Sequence, residues 1–110
     1  MDEPGSHRPL TVNTTRHADR CVIAAIGDLD LSSVAALDAE VRAAEATDVD
    51  QIIIDLSGVT FMDSTGLRLL VQADARSRAD SNRLRLVRGS RRVQRVFELT
   101  NTEAMLPFVD

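Results

Sequence analysis

Apolar residues change their spacing repeatedly along the 110-residue chain, and each change marks an element. "LTVNTT" from Leu10 and "CVIAAI" from Cys21 are strand candidates, and the short polar "RHADR" between them fits a hairpin. "CVIAAI" is continuous enough to be covered on both faces, and Gly27 is expected to end it. Ser32 or Ser33 then caps a helix whose Val34, Leu37, Val41 and Ala44 share one face. "VDQIIIDL" is the next strand, with Ser57 and Gly58 as the turn that closes it. A second helix after "FMDSTG" sets Leu67, Leu70 and Val71 inward and Arg68, Gln72 and Arg76 outward, and ends near Arg78 and Ala79. "RLRLV" alternates like a half-exposed strand, Gly89 breaks it, and "RRVQRVFEL" regains helical spacing through Val93, Val96 and Phe97. "AMLPFV" is a weak last strand that Pro107 keeps at an edge.

Strands and helices alternating after a hairpin predict an α/β fold. Its sheet is small and mixed, mostly parallel, with an N-terminal β-hairpin and flanking α-helices. Residues 1–9, with Pro4, Gly5, Ser6 and Pro9, read as a flexible N-terminal arm, and residues 10–110 as a single domain. Aromatic residues make up only 3% of the chain, with neither Trp nor Tyr, so aliphatic side chains must fill the core.

Charge narrows the function. Seventeen acidic against thirteen basic residues leave a net charge of -4, which opposes direct nucleic-acid binding. Every basic residue is arginine, so chemistry built on lysine loses its usual group. Arg88, Arg91, Arg92 and Arg95 read as a solvated helix face. Cys21 cannot form an intramolecular disulfide and lies in an apolar run, as a buried thiol in a reducing compartment would. The sequence contains neither a signal-peptide core nor 18 consecutive apolar residues, so the expected location is the cytoplasm, with no membrane partner.

Asp28, Asp30, Asp55 and Asp63 lie near the expected strand ends, where acids can hold a divalent ion or accept a phosphoryl group. Their spacing fits no metal loop, and short acids there commonly cap helices or face water, so no metal site is assigned. Ser64 lacks the G-x-S-x-G context and the histidine of a hydrolase nucleophile, and no nucleotide, zinc or redox motif occurs. No catalytic residue and no cofactor is expected. As a phosphate acceptor Ser64 fares better, because the positive end of a helix tolerates the added charge. Plain capping by Asp63, Ser64 or Thr65 is the competing reading, and Gly66 in the first turn adds a cost that only close backbone approach or steric clearance would offset.

Taken together, "GDLDLSSVAALDAEV", "QIIIDLSGVTFMDSTGLRLL" and "RRVQRVFELTN" resemble the bacterial anti-sigma-factor antagonists of the STAS domain family, from about Leu10 to Val109. The resemblance implies a phosphoprotein that regulates transcription by partner switching. In that scheme the unphosphorylated protein binds an anti-sigma factor with serine kinase activity and releases a sigma factor. Phosphorylation reverses this, and a serine phosphatase restores binding. It also implies that Ser64 is the phosphoacceptor and that Asp28, Asp30, Asp63, Thr65 and Gly66 form the docking surface with it. An alternative within the same family is a scaffold subunit of a stress-signalling complex that is never phosphorylated.

Overall fold

The computed structural model describes residues 7–109. Strands β1 (Thr11–His17) and β2 (Arg20–Leu29) form the expected antiparallel hairpin. Helix α1 (Val34–Glu45), strand β3 (Gln51–Met62), helix α2 (Ser64–Ala79), strand β4 (Leu84–Val87) and helix α3 (Arg91–Leu99) follow. A 3-10 turn at Glu103–Met105 and strand β5 (Phe108–Val109) complete the order. The five strands lie in the order β1-β2-β3-β4-β5, parallel from β2 onward. Each parallel crossover advances one strand in the same direction, so the right-handed connection rule sets all three helices on one face of the sheet. The fold is therefore the small, mixed, mostly parallel α/β arrangement predicted above.

Aliphatic residues fill the space under the helices. Ile23, Leu29, Leu37, Ile54, Leu56, Leu70 and Leu86 are fully buried, each contributing about 1.5–3 kcal/mol by leaving water. Phe97 is the one fully buried aromatic residue among those described, and it meets Phe108 edge-on with ring centroids 5.0 Å apart. Cys21 is buried as expected, and burial pushes its thiol pKa up.

Several local expectations change. The segment predicted as a turn at Ser57 and Gly58 is strand, because β3 continues to Met62. It does so through two register shifts against β2: Ala24 pairs with Asp55 but Ile26 with Gly58, and Gly27 pairs with Val59 but Asp28 with Phe61. Extra residues on β3 make both irregularities bulges, and Thr60 is the surplus residue of the second. Asp55 stabilises the first by accepting from the Ser57 N–H at 2.9 Å. Hydropathy is blind to such bulges, since Ser and Gly serve a bulge as well as a turn.

Gly27 likewise does not end β2, which runs on to Leu29. Its φ of +113° lies where side chains are strained, and a Cβ would sit 2.3 Å from the Pro9 carbonyl oxygen. Of the expected N-terminal arm, residues 1–6 lie outside the described residues. Arg8 and Pro9 run over Gly27, and the Asp28 N–H donates to the Arg8 carbonyl at 2.8 Å. On α2 the buried stripe is Gly66, Leu69, Leu70 and Ala73, while Leu67 and Val71 are only half-buried. Arg76, expected outside, is partly buried because it turns back to Glu45 on α1. Of "AMLPFV", only Phe108 and Val109 are strand, at the edge as Pro107 predicted.

Replacing Gly27 with Ala is expected to destabilise the fold by about 2 kcal/mol, through backbone strain and the clash with Pro9. Urea denaturation measures it, and an unchanged midpoint would mean that the N-terminal segment does not rest on this residue.

Candidate functional site

The carboxyl ends of β2 and β3 stand side by side, so the loops that leave them share one edge of the molecule. The Asp63 N–H donates to the Leu29 carbonyl at 3.3 Å and ties the two loops together.

Asp63 is the N-cap of α2. Its extended backbone turns the carboxylate back over the helix start, where Oδ1 accepts from the N–H of Thr65 at 2.9 Å and of Gly66 at 3.4 Å. The Thr65 hydroxyl donates to the same oxygen. One acid therefore caps two N–H groups of the first turn, and the Ser64 hydroxyl has no part in the cap. Ser64 is the first residue of α2 and is exposed. Asp63 takes the Thr65 and Gly66 N–H groups of the first turn, and Arg68, exposed one turn further on, is the nearest basic residue along the helix.

Gly66 faces inward. It is buried, and a Cβ there would approach Met62 Cγ to 2.7 Å and Leu29 Cγ to 2.9 Å. The missing side chain gives clearance to the protein's own core at this point.

The Asp28 carboxylate is buried and internally paired. Oδ1 accepts from the Thr60 hydroxyl at 2.6 Å and Oδ2 from the Arg8 N–H at 2.9 Å. These bonds hold its pKa below the ordinary value, Thr60 contributing most, against the opposing effect of burial. Sequence reasoning missed Thr60 and Arg8. The bulge that aims Thr60 leaves no hydropathy signal, and Arg8 acts through its main chain.

Asp30 stays at the surface end of the cluster. Its Oδ1 accepts from the Ser32 N–H at 3.0 Å and the Ser32 hydroxyl at 2.6 Å, and the hydroxyl bond is the main cause of its lowered pKa. Ser33 occupies the N-cap position of α1, yet its hydroxyl accepts from the Asp30 N–H and donates to the Asp28 carbonyl instead of capping the helix. The β2–α1 loop is thus fixed from within.

His7, Asp28 and Asp30 bring donor atoms within 4.8 Å of one another, a set that could hold a divalent ion. Both carboxylates already accept hydrogen bonds from the protein, and His7 Nδ1 lies 3.4 Å from Asp28 Oδ2 and 3.5 Å from Asp30 Oδ2. Asp55 lies at its bulge, apart from this group. Arg91, Arg92 and Arg95 are exposed on α3. Two apolar residues were missed as surface features: Leu31, next to Asp30, is 76% exposed, and Phe61, near the end of β3, is 39% exposed. Thr65 and Arg68 border a groove between α1 and α2.

A hairpin-led parallel sheet with a rigid, acid-capped helix start after its central strand defines a class of small α/β domain. The chain belongs to the STAS domain family: the family model described as "Mlab, STAS domain" matches residues 12–107. It is similar to the anti-sigma-F factor antagonist RsfB of Mycobacterium tuberculosis, with 34% identity over 70 residues, 64% of this chain and 55% of that protein. The match thus spans about half the length of that curated relative. An anti-sigma factor antagonist from Mycobacterium paratuberculosis has the same fold, with a TM-score of 0.80 at 24% identity over 90% of this chain and 84% of that one. The anti-sigma factor antagonist SpoIIAA in its unphosphorylated form aligns with a TM-score of 0.71 at 24% identity, covering 92% of this chain and 88% of that one. The Bacillus cell fate determinant SpoIIAA in the phosphorylated form gives 0.67 at 22% identity, over 92% and 91% of the two chains.

Because the folded pKa of Asp28 is depressed, its contribution to stability is complete above the ordinary value of 3.8 and is lost as pH falls through the lower folded value. Asp28→Asn is expected to lower stability at neutral pH by about 1–3 kcal/mol. The gap to the unsubstituted protein should close on acidification below that window, as followed by urea denaturation at several pH values. A gap that stays constant down to strong acid would show that Asp28 is not held ionised by the fold.

Proposed function

We propose that this protein is an anti-sigma-factor antagonist, switched off by phosphorylation at Ser64. In this reading it binds, in the cytoplasm, an anti-sigma factor that is also a serine kinase, and so frees a sigma factor. A serine phosphatase reverses the modification. The protein acts as a binding partner and phosphate acceptor, and catalysis belongs to the kinase and the phosphatase. The observation that carries the proposal is the division of labour at the start of α2, where Asp63 caps the helix and leaves the neighbouring Ser64 exposed.

Physical consequences follow from that division. Esterifying Ser64 breaks none of the cap's bonds, and the helix macrodipole and Arg68 offset part of the new charge. The helix should persist while the surface gains about -1.5 to -2 charge units next to Asp63. A partner that covers Leu31, Phe61 and the Ser64 hydroxyl together would then bury an unpaired dianion. RsfB is named as an anti-sigma-F factor antagonist, and SpoIIAA is described in both unphosphorylated and phosphorylated forms, which supports the reading for a relative and a neighbour of this chain.

Incubated with its cognate anti-sigma factor and ATP, the protein is expected to gain one phosphate on the Ser64 peptide, read by mass spectrometry, and Ser64→Ala to gain none. Phosphorylated protein should bind the anti-sigma factor at least tenfold more weakly, about 1.4 kcal/mol, by calorimetry. Equal affinities of the two forms would defeat the switch, and phosphate on Ser64→Ala would defeat the site.

A further inference from the structure

The two edges of the sheet are unlike. β5 offers two residues behind Pro107, which has no N–H to give, whereas β1 offers seven. Edge strands are commonly blunted by lysine, proline, a bulge or an inward-pointing charge. From Thr11 to Thr15 β1 carries none of these: "TVNTT" is uncharged, rich in β-branched residues, and pairs with β2 without a register shift.

Pairing with β2 decides which main-chain groups face outward. His17 and Arg20 close the hairpin across Ala18 and Asp19, so they exchange both hydrogen bonds of their pair. Alternation along the ladder then turns the N–H and C=O of Thr15, Asn13 and Thr11 towards β2 as well, and those of Val12, Thr14 and Arg16 away from the sheet. Among the described residues nothing bonds to these outward groups, and every β1 residue except the half-buried Val12 is exposed.

The outward residues are spaced symmetrically about Thr14. An antiparallel second copy can therefore place Thr14 opposite Thr14 and Val12 opposite Arg16, and each outward residue then exchanges two main-chain bonds with its opposite. Sliding that copy by two residues either way sets Val12 or Arg16 against residues outside β1.

Charge agrees with the same register. Val12, Thr14 and Arg16 pair with the buried Ala25, Ile23 and Cys21, so their side chains lie on the helix-covered face, where the Thr14 hydroxyl donates to Glu40 of α1 at 2.6 Å. Glu40 thus stands near the two-fold axis, and the second copy's Arg16, diagonal to Thr14, comes within reach of it. Within its own chain, the acid that Arg16 meets is Asp48, at 3.4 Å and 96% exposed, a contact too solvated to hold it.

We propose that β1 is a self-association surface: two copies of this chain pair their β1 strands antiparallel about Thr14, joining both sheets into one, with Arg16 of each copy facing Glu40 of the other. The surface is separate from the Ser64 reading, since β1 lies two strands away from β3, whose end leads into α2.

Sedimentation equilibrium of the full chain is expected to show a reversible monomer–dimer equilibrium. Thr14→Pro removes the outward N–H at the two-fold axis and spares every bond to β2, so it should weaken the dimer at least tenfold. Thr14→Cys brings two thiols onto a pair whose Cα atoms stand about 5.5 Å apart, within disulfide range, and should cross-link on mild oxidation, whereas Thr11→Cys should not. By NMR, amide exchange at Val12, Thr14 and Arg16 should slow at least tenfold as concentration rises, with Asn13 and Thr15 unchanged. A chain that stays monomeric at every concentration overturns the proposal, including one whose three amides are protected only by an extended segment of another protein. So does a dimer that folded Thr14→Pro leaves as tight, that leaves those amides unprotected, or that cross-links through Thr11→Cys as readily as through Thr14→Cys.

Discussion

A buried carboxylate must find donors, and the structure around Asp28 is organised by that requirement. Its oxygens take one hydrogen bond from the Thr60 hydroxyl and one from the Arg8 main chain. Thr60 reaches it because β3 carries a surplus residue at that point, and Arg8 because Gly27 leaves room for Pro9. The Asp28 carbonyl in turn accepts from Ser33, which fixes the entry into α1. Three segments distant in sequence meet on one acid, and the loop that ends in Asp30 and Ser33 inherits its shape from them.

The start of α2 obeys a second economy. Helix termini need partners for their first N–H groups, and here one aspartate serves two of them. Its neighbour Ser64 has no bond in the cap to lose. Rigid backbone beneath an unengaged hydroxyl is what a covalent switch without refolding requires, and the packing of Gly66 against Leu29 and Met62 anchors that backbone to the central strands.

Helix α2 carries distinct chemistry at its two ends. The amino end presents polar groups to solvent over a fully packed base. At the carboxyl end, Arg76 joins α2 to Glu45 of α1 around a partly apolar cavity.

Much of the architecture was legible in the sequence because it rests on local periodicity. The hairpin, the alternation of strands and helices, the edge position of the last strand and the aliphatic core all follow from spacing and composition. Tertiary structure alone decided which side each residue serves. Gly27 and Gly58 became strand instead of turn through long-range pairing, and Asp28 and Gly66 turned inward because Thr60, Arg8, Leu29 and Met62 meet them there. Arg76 left the outer face for a glutamate on another helix. Local spacing sets which conformations a segment can adopt, but the partner of a buried polar group lies far along the chain, and only folding brings the two together.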